Sequence, residues 1–154
     1  MKQFYDSMRA LCMFLVTAVA LVVILALPAV FAAETPQHCD IQIGSCIARI
    51  GDGTVIEFDV QPKPVTTMTE SAFVVIVIKK GKSITDASVH LDLSMPHMFM
   101  GKNRPVLKQV KDGRYEGMGV ITRCASGKKI WQADVVTIGA DGKTAVAAFV
   151  FEVK

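Results

Sequence analysis

From Cys46 to the C-terminus the sequence is a train of short apolar or alternating runs, cut by Gly, Asp and Pro at roughly ten-residue spacing. That rhythm constrains the fold more than any other feature of the chain. "TVIEFDV" at 54–60 puts Ile56, Phe58 and Val60 on one face and Glu57 and Asp59 on the other, and "GDG" just before it makes a hairpin turn back to the run at 46–50. The apolar stretch "AFVVIVI" at 72–78 reads as a strand central in its sheet. Residues 87–93 alternate again, with Ala87, Val89, Leu91 and Leu93 inward and Ser88, His90 and Asp92 outward. "PVLKQV", "YEGMGVITR", "IWQADVVTI" and "TAVAAFVFEV" follow, separated by "KDG", "ASGKK" and "GADGK". Seven or eight strands with no convincing helix after residue 33 predict an all-β, antiparallel β-sandwich. Tyr115, just after the "DG" turn, stands where a tyrosine corner stands in immunoglobulin-like sandwiches, its hydroxyl bonding back to the preceding corner. Trp131 alternates with Ala133 and Val135 and is expected in the core.

The first thirty or so residues are of another kind. Lys2 and Arg9 precede an uncharged apolar stretch at 10–27, then Pro28 and the small-residue stretch "VFAA" at 30–33, with a Val-x-Ala cleavage site after Ala32. The stretch is long for a signal peptide and short for a spanning helix, so residues 1–32 read as a cleaved leader or as a retained N-terminal anchor. Either places the rest of the chain outside the cytoplasm, as a periplasmic or other cell-envelope protein. No cysteine sits in a lipobox context. Residues 33–44 are expected as a linker and 45–154 as the domain.

Without the leader's Lys2, Arg9 and Asp6 the chain keeps a net charge near +2, spread as single and paired lysines, which excludes a nucleic-acid patch. Cys39, Cys46 and Cys124 remain, an odd number for an oxidising compartment. Cys46–Cys124 is the favoured pairing because both adjoin strands far apart in the chain, and a long-range bridge constrains the unfolded state most. Cys39–Cys46, closing a short local loop, is its rival.

Chemistry is concentrated in one place. Of the five methionines after the leader, Met95, Met98 and Met100 fall within "SMPHMFMG" at 94–101, together with His97. Thioethers and an imidazole favour Cu(I), and neutral Met ligands persist where thiolates would be lost to disulfides. Strand parity sends Met95 into the core as a gap-filler; beyond Pro96 parity cannot be followed, and Phe99 is expected to anchor the loop. There is no Gly-x-Ser-x-Gly, no phosphate loop and no His-Glu-x-x-His, and His38, His90 and His97 are widely spaced. The chain therefore reads as a binding protein rather than an enzyme.

Residues 91–135 resemble the YtkA-like and FixH-like extracytoplasmic domains: a strand ending in Met-Pro, a Met-rich loop, a Gly-x-Tyr turn and strand, and a later strand carrying Trp. The resemblance implies an immunoglobulin-like sandwich, often tethered by an N-terminal helix, in envelope proteins of which some handle copper or assist cytochrome-oxidase assembly. It carries over to Met95, Pro96, His97, Met98 and Met100 as the loop and to Gly113 and Tyr115 as structural positions. The chain departs from it in its cleavable leader and in lacking the distal His pattern of periplasmic copper chaperones. The reading that follows is an envelope module that holds Cu(I) at His97, Met98 and Met100, with Met95 as a further ligand, and passes it to an envelope or membrane protein. The alternatives are a metal-free interaction domain presenting the same Met/Phe loop to an envelope partner, and thiol redox through the unpaired cysteine.

Overall fold

The structure, a computed structural model, describes residues 35–98 and 100–154. The leader and Phe99, expected as signal or anchor and as loop anchor, lie outside the described residues. Ten strands and no helix occur among the described residues: β1 (Gln37–His38), β2 (Cys46–Ile50), β3 (Thr54–Gln61), β4 (Glu70–Lys79), β5 (Lys82–Ser83), β6 (Ser88–Ser94), β7 (Val106–Lys111), β8 (Arg114–Val120), β9 (Ile130–Ile138) and β10 (Thr144–Glu152). The eight longer strands fall on the runs read from the sequence. The two additional ones are two residues each.

Strand order is β1-β10-β9-β6-β7-β8-β4-β3-β2, with β5 added to β4, and every pairing is antiparallel except β1 with β10. The sequence turns where expected: Gly53 at φ 84° closes the β2–β3 hairpin and Gly113 at φ 69° the β7–β8 hairpin. β4 lies between β3 and β8, which explains its nearly unbroken apolar run. β7 bonds to both β6 and β8 and so joins the two halves of the sheet. Gly117 permits this approach, since a Cβ there would stand 2.6 Å from the Val106 carbonyl oxygen.

The halves meet in one core. Phe58 of β3 stacks on Phe73 of β4 at 6.5 Å and on Phe149 of β10 at 5.5 Å, and reaches Phe151 at 5.8 Å. Ile56, Val60, Leu91, Leu93, Ala133 and Val135 are fully buried around them, each on the inward parity of its strand. Tyr115 and Trp131 are among the largest buried side chains. Tyr115 does anchor a connection through its hydroxyl, but not the turn before it. The hydroxyl donates to the Ile84 carbonyl at 2.9 Å and accepts from the Ala87 amide at 3.2 Å, fixing the β5–β6 link, and burial pushes its pKa up.

The segment read as a linker carries β1 and the fully buried Ile41. Gln42 holds it in place: its amide nitrogen donates to the carbonyls of Val65 and Glu152, and its oxygen accepts from the Val65 amide. Lys63 adds a bond to the Ile41 carbonyl while paired with Asp59. This docking corrects the disulfide assignment. The bond is Cys39–Cys46, with Cα atoms 5.8 Å apart, and Cys124 is a buried free thiol rather than the partner of Cys46. Cys39 is held by β1 and by its amide's bond to the Val150 carbonyl, so it meets Cys46 at the start of β2.

Candidate metal centre

β6 delivers the methionine turn. Its inward residues Val89, Leu91 and Leu93 are buried, and Met95, one step beyond its end on the same parity, is 4% exposed. Pro96 supplies no amide for the ladder, and the chain reverses: the Met98 amide donates to the Met95 carbonyl at 3.0 Å. With Pro at the second position and His97 at φ 62° in the third, this is a type II turn. A histidine in the left-handed region costs on the order of 1 kcal/mol, which the fold around the turn supports.

The turn pairs Met95 and Met98 as an isolated antiparallel bridge, so both side chains leave one face of the reversal. Met98 and Met100 are half-buried and pack on the core. The return limb is fixed against β6: the Leu93 amide donates to the Asn103 carbonyl and the Leu91 amide to the Pro105 carbonyl, while Arg104 donates to Asp92 at 2.7 and 2.9 Å. The Asn103 side chain donates to the Val120 carbonyl at 2.9 Å and ties the loop to β8. Met95 is thus in the core, and Met98 and Met100 pack against that core from the turn and the residues after it. His97 does not: it is exposed at the tip.

The chain adds a sulfur that the sequence reading had assigned elsewhere. Cys124 lies in a turn closed by the Gly127 amide on its carbonyl, and its Sγ stands 3.7 Å from Sδ of Met98 and 3.0 Å from Oγ of Ser126. The hydroxyl of Ser126, and then its backbone, hold the thiol below the ordinary thiol range against the opposing effect of burial. Nothing in the spacing announces this meeting of residues 98 and 124. The only hint was that one of three cysteines had to be left over.

The β6–β9 register ends at the pair Ser94–Gln132, and Trp131, which precedes Gln132 on β9, is fully buried. Its Nε1 is the one buried side-chain nitrogen or oxygen without a hydrogen-bond partner among the described residues. His38 is exposed on β1 and His90 half-buried on the outer face of β6. Among the described residues no three His, Cys, Asp or Glu side chains converge. The donors that do gather are thioether and thiol, which select soft, monovalent metal over Mg²⁺ or Ca²⁺. No family model, curated protein or solved structure matches this chain.

Proposed function

We propose that this chain is an extracytoplasmic module of the YtkA-like or FixH-like kind, delivered by its N-terminal leader, whose immunoglobulin-like sandwich captures Cu(I) on the methionine turn and hands it to an envelope or membrane partner. The observation that carries the reading is the Met95–Met98 bridge, which pairs two methionines across a fixed turn, with Met98 and Met100 packed on the core that holds Met95. His97 at the exposed tip is the ligand a partner would meet first. Neutral soft donors bind without turnover and can be exchanged one at a time, so capture and transfer need no enzymatic step.

Anaerobic Cu(I) titration against a chromophoric competitor tests it. Stoichiometric binding that is lost in the Met98→Ala/Met100→Ala double variant, with the β-sheet circular dichroism unchanged, is the expected result. Absence of competition by the unsubstituted chain would sink the reading.

A metal-free interaction domain is the second reading, and one observation favours it: Val106, Met68 and Met118 expose 69, 63 and 58% of their surfaces. These residues lie outside the methionine turn. Met98 and Met100 pack inward, so a contact surface would be built on β7, β8 and the approach to β4 rather than on the turn.

A further inference from the structure

Cys124 is set apart from the disulfide by the fold, and it is not surrounded by hydrocarbon alone. It is 5% exposed, its Sγ touches the Met98 thioether at 3.7 Å, and Met98 is bridged to Met95. Two turns from different parts of the chain, one closed at 95–98 and one at 124–127, bring the Cys124 and Met98 sulfurs together. Mere filling of space at a core edge would be served by any apolar side chain.

We propose that Cys124 is a ligand of the soft-metal site, its sulfur joining those of Met98 and Met95 on the buried side of the turn. This rests on the Cu(I) reading above and adds a donor on the buried side of the turn, opposite in character to His97 at the exposed tip. Charge balance is the physical reason. A monovalent cation held by thioethers alone at a core edge keeps its full charge out of water, which is costly unless an anion accompanies it. The one carboxylate of β6, Asp92, is already bound by Arg104. A cysteine sulfur makes the site neutral: the S–Cu bond forms as the S–H bond breaks, and the proton leaves to solvent with no change of oxidation state.

The test uses the full chain with its disulfide intact, under anaerobic conditions, with Cu(I) and redox-inert Ag(I) as probes. Cys124→Ser is expected to weaken Cu(I) by more than about a hundredfold in competition with a chromophoric chelator, beyond the roughly 10–100-fold typical of outer contacts. In the unsubstituted protein, either metal is expected to protect Cys124 from alkylation, read by mapping the peptide that contains it; this readout stands even where Cys124→Ser folds poorly. Cys124 alkylated at the same rate with and without bound metal, or a folded Cys124→Ser chain with unchanged affinity, overturns the proposal while leaving the methionine turn as the site. An unsubstituted chain that takes up neither metal overturns both readings.

Discussion

Two sulfur-bearing regions of this molecule behave in opposite ways. At the N-terminal edge, Cys39 and Cys46 are seven residues apart and are locked together, with β1, Ile41 and Gln42 docking the segment that carries Cys39. At the methionine turn, Cys124 arrives from a distant part of the chain to meet Met98 and stays unlinked, its thiol in contact with the thioether. The first region uses sulfur as a cross-link. The second leaves it uncrosslinked, and the difference teaches that the fold separates the third cysteine from the other two and seats it against a thioether. By taking Cys46 as partner, Cys39 leaves Cys124 as a free thiol beside the Met98 thioether.

The comparison can be broken in four ways, from the largest expected effect to the smallest. Removing the cross-link with Cys39→Ser/Cys46→Ser should cost about 2.5 kcal/mol by loop entropy for so short a closure, read as a lower denaturant midpoint, with Cu(I) affinity kept. Loss of metal binding in that variant would mean that the two regions are one functional unit. Gln42→Ala removes three hydrogen bonds that tie the docked segment to Val65 and Glu152, and is expected to destabilise by about 2 kcal/mol in chemical denaturation, again without touching the metal.

Met98→Ala should do the reverse, costing about 1 kcal/mol of stability at a half-buried site while cutting Cu(I) affinity by more than about tenfold. The smallest effect lies at the β2–β3 turn. Lys79, with Thr54 after it, lowers the Asp52 pKa from 3.8 to about 2, so the pair stabilises the fold above pH 4 and the contribution is lost as pH falls from about 4 to about 2. Both partners are more than a third open to solvent or close to it, which screens the gain to under about 1 kcal/mol. Asp52→Asn should flatten that part of the acid-stability profile and leave metal binding unchanged.

Much of this was legible in the sequence because strand parity is a local signal. Val89, Leu91, Leu93 and Met95 could be sent inward by counting alternate residues, and Gly53 and Gly113 marked turns that need positive φ. β1 could not be seen, since a two-residue parallel strand has no period of its own. The cysteine pairing was misread for a related reason. Loop-closure reasoning favours long bridges in the unfolded chain, whereas the docking of 37–42 by Gln42 and Ile41 is a tertiary arrangement that holds Cys39 beside Cys46. The Cys124–Met98 contact is wholly a product of the fold. The Pro96–His97 turn lay between these cases: Pro at its second position was readable, but a histidine accepting the left-handed position is not a preference a sequence declares.

The measurement that tests the account most directly is X-ray absorption at the copper edge on the Cu(I)-loaded chain with Cys39–Cys46 intact. A nearest shell dominated by sulfur, and depleted of sulfur in Met98→Ala, is the predicted result. A shell of nitrogen and oxygen, or a sulfur shell indifferent to Met98, would contradict a metal held by the sulfurs of this turn.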